Sequence, residues 1–233
     1  MSRESMTAAM AGRHPSLAGI GHFSRSDGNR AFEIGWPEYD RDTAWARRLL
    51  EVWGLEPGQH ALLIGRNSEG PWLGPVVRAI RELGVVFSNA EPYAWDARRA
   101  ATIVSLLPVK AIIGLPGEMV APLLADDRAA AGIVDKAPAI WARHDALEPL
   151  RAAGLRPAEM AMLGPALGLS CREGTGLHLD PEEWQVTAVA ARPRLTVAGD
   201  RRYRGREIEL NMNGTIDEAP CACGLPGPRI RTE

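Results

Sequence analysis

Cysteine is scarce in this chain, no run of apolar residues is long, and neither sign of charge is in excess. Three cysteines among 233 residues form no even disulfide set, which argues against a secreted, disulfide-stapled fold and for a reducing, cytoplasmic setting. No apolar stretch approaches the roughly 20 residues of a membrane span. Met1 to Arg13 contains no apolar segment of the signal-peptide kind. Lys and Arg number 27 against 29 Asp and Glu, a net charge of −2, so no field attracts nucleic acid or an anionic membrane. Neither is expected as a partner. Internal repeats and low-complexity tracts are also lacking.

What is present is an ordinary apolar content, 45%, enough at this length for a sizeable core. Residues 1–30 are rich in Ser, Gly, Ala and Arg without a period and read as a loose N-terminal arm. From Asp42 the pattern tightens: Trp45, Leu49, Leu50 and Trp53 recur at helical spacing, and Gly54 ends the helix. His60 to Ile64, Val85 to Phe87, Val109 to Ile113, Pro138 to Trp141 and Glu159 to Leu163 read as strands. Between them lie helices over 71–83, 96–107 (with Asp96 as N-cap), 118–124 and 146–153. Strands alternating with helices of this length imply βαβ units and a parallel sheet. After Gly176 the texture changes to Trp184–Val189, Arg194–Val197 and Glu207–Leu210, which alternate or carry β-branched residues with no helix between. The expected class is therefore α/β: a parallel sheet with flanking helices over 31–165, then a smaller β-rich lobe over 166–233.

All three cysteines fall in that lobe beside one histidine, as Cys171-x6-His178 and Cys221-x-Cys223. Four such ligands in two clusters suit a closed tetrahedral zinc site, with Gly176 and Gly224 allowing tight turns beside them. The competing reading is three buried thiols and an unrelated surface histidine, because Cys-x-Cys is a weaker signal than Cys-x2-Cys. A closed four-ligand site leaves no position for substrate, so a zinc here would staple the lobe.

The runs Gly164-Pro165 … Cys171 … Gly176-Leu-His178 and Cys221-x-Cys223-Gly224 … Pro228-Arg229-Ile230 resemble the phenylacetate–CoA ligase branch of the adenylate-forming enzymes. The stretch from Asp42 through Gly54-Leu-Glu-Pro-Gly58 to Leu83-Gly84 is similar to that family's segment between phosphate loop and acyl pocket. The resemblance spans about residues 23 to 231 with gaps, and it implies zinc on Cys171, His178, Cys221 and Cys223. It also implies a catalytic apparatus that the residues do not supply. Of the Ser/Thr/Gly-rich phosphate loop only Ser24, Ser26 and Gly28 are left, and Asp27 would repel phosphate. The adenine-binding run corresponds to Ala146-Leu-Glu-Pro149 without its first glycine. The magnesium-binding acid is replaced by alanine within Glu159-Met-Ala-Met-Leu163. The ribose-binding run is Arg202-Tyr-Arg-Gly-Arg-Glu207, with glutamate for aspartate. By the resemblance, the family's small C-terminal domain with its catalytic lysine is expected to be missing. Each such element supplies several kcal/mol of charge stabilisation, so ATP, AMP and magnesium are not expected as cofactors.

The loop Gly65 to Gly70, before a helix opened by Pro71, reads as a βα turn rather than an anion site. Trp36, Trp72, Tyr93 and Trp95 read as core or interface aromatics, with an aromatic acyl pocket as the alternative. His22 and His144 lack a sequence-visible partner, and Glu148 or His144 is the candidate acid–base group if chemistry survives. The expectation is a non-catalytic relative that binds a second copy, a partner protein or a small acyl or aromatic ligand. The alternative is an enzyme with repurposed chemistry on an activated acyl compound, and a residual ligase comes third.

Overall fold

The computed structural model describes residues 16–25, 28–136, 139–189, 191–204 and 207–232. The chain opens with a hairpin, β1 (Leu17–Arg25) paired antiparallel to β2 (Gly28–Gly35). The expected loose arm is thus ordered from Leu17 on. Its signal is hidden in the sequence because Gly21 packs on the Phe32 ring across the hairpin, where a Cβ would come within 2.3 Å of Phe32.

Pro37 opens the long helix α1 (Trp36–Val52) at a position that needs no N–H donor. Gly54, at φ +72°, ends the turn that follows. Strands and helices then alternate: β3 (His60–Ile64), α2 (Gly70–Glu82), β4 (Val86–Ala90), α3 (Ala97–Leu106), β5 (Val109–Leu115), α4 (Gly117–Leu124), α5 (Asp127–Lys136), β6 (Ala139–Ala142), α6 (His144–Ala152) and β7 (Ala158–Leu163). Asp96 stands at the start of α3 without a side-chain cap bond. Its carboxylate instead accepts the Glu91 N–H at 2.7 Å and pairs with Arg99.

Strands β3 to β7 are parallel, as expected, but the sheet does not stop there. β8 (Ala166–Ser170), β9 (Leu177–His178), β13 (Gly214–Asp217) and β14 (Arg229–Thr232) continue it antiparallel. The result is one nine-stranded mixed sheet in the order β13-β14-β9-β8-β7-β6-β5-β3-β4. Only β10 (Trp184–Val189), β11 (Arg192–Val197) and β12 (Ile208–Glu209) form a separate three-stranded sheet.

Alternation along the parallel strands puts two apolar clusters on the sheet's two faces, and a third joins the wide sheet to the small one through Leu163, Leu177, Trp184 and Leu195. Ala61, Leu63, Ile113 and Trp141 face α1 and α2, while Leu62, Ile64, Ile112 and Ile140 face α3 to α6. β5 is interrupted at Gly114 (φ +90°), where a Cβ would sit 2.3 Å from the Ile64 carbonyl oxygen and the register to β6 shifts. This bulge turns the Gly114 carbonyl to accept from Arg143 Nε at 3.1 Å. No helix among the described residues is long and apolar enough to cross a membrane.

Candidate metal centre and the neighbouring clefts

The nine-stranded sheet brings the four predicted ligands together. Cys171 follows β8, His178 ends β9, and Cys221 and Cys223 lie on the loop between β13 and β14. Their ligand atoms all lie within 4.8 Å of one another. Cys171 Sγ and Cys221 Sγ are 3.6 Å apart, and Cys223 Sγ is 3.7 Å from His178 Nε2. A disulfide needs about 2.05 Å, whereas two thiolates on one tetrahedral zinc stand about 3.8 Å apart. The thiols are free, and at this spacing the four residues could hold a metal ion.

Local turns set this geometry. The Gly224 N–H bonds to the Cys221 carbonyl at 3.0 Å, with Gly224 at φ +82°. On the other side the equivalent bond comes from Gly174, not Gly176. Gly176 (φ +128°) instead lets β14 close on β9, because a Cβ there would lie 2.8 Å from the Ile230 carbonyl oxygen. Leu225 N–H donates to Cys223 Sγ at 3.5 Å, and Thr175 Oγ1 lies 3.4 Å from Cys221 Sγ. Behind the cage the indoles of Trp53 and Trp141 both donate to the Ser170 carbonyl, at 3.1 and 2.8 Å. That carbonyl immediately precedes Cys171, so one buried and one half-buried ring fix the ligand's backbone.

Without a metal the ionisation of the four groups is split. Burial pushes the Cys171 thiol up to about 12. Cys221 sits at about 7, because Thr175, the Cys223 N–H and the neighbouring thiols outweigh its burial. Burial, with the Arg229 charge beside it, brings His178 down to about 4, so its ring is neutral at pH 7 as a ligand must be. Arg229 stands opposite His178 across β14 and β9, 3% exposed, and pairs with Asp217 at 2.6 Å. Its Nε and Nη1, like His178 Nδ1, are buried without a hydrogen-bond partner. A cage of three thiolates holding a divalent ion carries net negative charge, which a buried guanidinium would neutralise. The residues therefore fit a bound metal ion. Thr175 and Arg229 lie within or beside the cysteine runs, but their contacts here, and the approach of the two tryptophans, come only from the fold.

The other candidate residues are scattered. Ser24 Oγ donates to Asn29 Oδ1 at 2.8 Å within the hairpin, and a Cβ on Gly28 would meet nothing. Ser26 lies outside the described residues. Ala146 to Pro149 lie inside α6, with Glu148 on its exposed face. Glu207 is taken by Arg194 at 2.6 Å. His144 does have a partner: Nδ1 lies 3.1 Å from Glu159 Oε1, while Thr232 donates to Glu159 Oε2 at 2.6 Å. That pairing crosses from α6 to β7, which spacing alone does not reveal. Trp72 is buried and donates to the Gly164 carbonyl at 3.0 Å, whereas Trp95 is exposed and stacks on Tyr93 at 5.8 Å.

Two clefts flank the loop after β3. One, about 440 Å³, lies between the hairpin, the end of β7 and Glu209 to Met212, and is lined by His22, Ser24, Arg66 and Glu69. Glu69, though, is locked by Arg143, whose Nη1 and Nη2 donate to its two oxygens at 2.7 and 2.8 Å. The other, about 400 Å³, lies between α2 and the ends of β3 and β4. The first sits at the carboxyl ends of the parallel strands, where open α/β sheets bind ligands, and the second runs from there along β4 to Phe87.

No protein-family model matches the chain, and no curated protein sequence matches it either. Solved structures do. An open conformation of 2-hydroxyisobutyryl-CoA ligase with 2-HIB-AMP and CoA superposes with a TM-score of 0.67 at 12% identity, over 99% of this chain and 57% of that one. Wild-type E. coli MenE, bound to an analogue of OSB-AMS, gives 0.59 at 12%, over 94% and 49%. A malonyl-CoA ligase product complex with methylmalonyl-CoA and AMP gives 0.59 at 15%, over 92% and 52%. The chain thus has the fold of adenylate-forming ligases and spans about half the length of these neighbours.

Proposed function

We infer that this chain is a zinc-stapled, non-adenylating relative of the phenylacetate–CoA ligase branch, which holds an acyl ligand or a partner protein instead of activating a carboxylate. The observation that carries this reading is the condition of the nucleotide-handling positions. Glu207 is paired with Arg194, Glu148 faces solvent on α6, and Ala161 stands where a magnesium-binding acid is expected. The acyl ligand's place is the cleft beside Gly65 to Tyr93, between α2 and β4. A second copy or another protein is the expected partner at exposed apolar side chains such as Leu106 and Val134. Three free thiols in a metal cage suit a reducing, cytoplasmic compartment.

Cys171, His178, Cys221 and Cys223 would hold the zinc. With four protein ligands it has no open position, so its contribution is to join β8, β9 and the loop before β14. Purified protein should carry one zinc per chain by elemental analysis. Cys171→Ser should lose it and lower the thermal midpoint by more than about 10 °C, given the large free energy such sites contribute. Calorimetric titration of the metal-loaded protein with ATP and magnesium, then with AMP, tests the main reading. No heat is expected, and micromolar binding of either nucleotide would overturn it.

One contact favours a second reading, an enzyme with repurposed chemistry on an activated acyl compound. His144 Nδ1 on Glu159 is the arrangement that orients an imidazole as a general base. Hydrolysis of simple acyl thioesters by the wild type, lost in His144→Ala, would support it. Equal rates in both proteins would remove it.

A further inference from the structure

The cleft between α2 and the ends of β3 and β4 has an apolar floor of Leu63, Leu73, Val77 and Phe87. Two arginines, Arg66 and Arg81, also line it. Each guanidinium is held against a ring, Arg66 over Tyr93 and Arg81 over Phe87, at 5.1 Å in both cases. Such stacking uses the flat face and leaves the in-plane N–H groups available to an anion. No carboxylate lies within ion-pair distance of either guanidinium among the described residues. By contrast Arg78, Arg99 and Arg143 all have one. Arg99 also lines the cleft but is neutralised by Asp96 at 2.7 Å. Glu91 is the single acid among the lining residues, so the cleft keeps a positive balance. Glycine keeps its mouth open: Gly70 begins α2, and a Cβ there would meet nothing within 4 Å.

Two cations, each held against a ring and at different ends of an apolar floor, favour a ligand that carries hydrocarbon between two anionic groups. A ligand with one negative charge satisfies only one of them, and inorganic phosphate leaves the floor empty. We propose that this cleft binds a small dicarboxylate, or an acyl compound bearing a second carboxylate. Its hydrocarbon part lies on Leu73, Val77 and Phe87, and its two acid groups are taken by Arg66 and Arg81. The proposal rests on the reading of this cleft as an acyl-ligand site and gives that ligand its charge. The cleft's volume suits a compact ligand of this kind.

The test is calorimetry and thermal shift on the full, zinc-loaded chain with succinate, adipate and suberate. The monoacids of equal length, butyrate, hexanoate and octanoate, serve as comparison. At least one diacid should bind about tenfold or more tightly than its monoacid, as expected for one added charge-assisted contact. Arg81→Met, a change at an exposed position, should remove that advantage and leave monoacid binding in place. Arg66→Met should do the same, and Gly70→Val should block both ligand classes. Equal binding of diacids and monoacids, abolished by Gly70→Val but insensitive to the arginine changes, would overturn the dianion while leaving the acyl cleft standing. Binding of neither class would overturn both. Diacid binding that survives Arg66→Met, Arg81→Met and Gly70→Val would place the ligand elsewhere and overturn the proposal.

Discussion

Replacing Arg143 with methionine strands one of the best-buried carboxylates in the chain. Glu69 is 7% exposed and gives both oxygens to that guanidinium, with Oε2 also accepting the Arg66 N–H at 2.9 Å. Burial pushes the Glu69 carboxyl up, but Arg143 and the Arg66 N–H more than reverse this, so its folded pKa lies below the ordinary glutamate value. A depressed folded pKa contributes stability above the unfolded value, and that stability is lost as pH falls through the folded one. Without Arg143 the carboxyl moves up and protonates sooner, so the gap between variant and wild type should narrow as pH falls from 7 towards 5. Removing one partner of a buried pair costs about 3–5 kcal/mol. Arg143 is 22% exposed and the Arg66 N–H remains, which brings the expected loss to about 2–4 kcal/mol. For a chain of this size that is a fall of about 4–16 °C in thermal midpoint. Urea unfolding at pH 7 and pH 5.5 reads both effects. Glu69→Gln with Arg143→Met should recover at least half of the loss, because the stranded charge is what destabilises. A loss below about 0.5 kcal/mol, or parallel pH dependences, would refute the reasoning.

Gly114→Ala should cost more than about 2 kcal/mol in urea unfolding, since it combines a φ of +90° with a Cβ 2.3 Å from the Ile64 carbonyl. An unchanged midpoint would mean that the β5 bulge is not built as described. Arg201, 3% exposed, pairs with Asp42 at 2.7 Å and Glu183 at 2.8 Å. Arg201→Met should lose about 3–5 kcal/mol, and a loss under about 1 kcal/mol would show that water has already entered the network. Trp141→Phe deletes the 2.8 Å bond to the Ser170 carbonyl but leaves Trp53 in place. We expect a loss of about 1–2 kcal/mol and a smaller change in indole emission on metal removal than in the wild type. An unaltered emission change would dissociate these rings from the cage.

What is legible in the sequence follows from how local each signal is. The alternating α/β half can be read because each strand carries its own apolar run and each helix its own period. The four-ligand cluster can be read because cysteine and histidine are rare enough here that their spacing stands out. The hairpin β1–β2 is hidden because its two-residue period is blurred by glycines that make room for Phe32 and Pro71. The antiparallel continuation of the sheet is hidden for a different reason. β9 is two residues long and finds its partner β14 some fifty positions later, so neither segment carries enough period to announce itself. Helix α5 is short but amphipathic, so its period is within reach of the sequence. The same non-locality hides the pair of His144 with Glu159 and the position of Arg229 opposite His178.

The position of the small sheet has one more consequence. β10, β11 and β12 all lie between His178 and Cys221, so a metal on those ligands would tie the two ends of that excursion at its root. Chain closed at its base in this way can open without unzipping the strands on either side, because the route of the backbone back into the wide sheet is already fixed. The Arg201 network then acts as a separate latch, fastening the excursion to α1 through Asp42. Amides of Trp184–Val189 should exchange with solvent before those of Val109–Leu115 while the metal is bound.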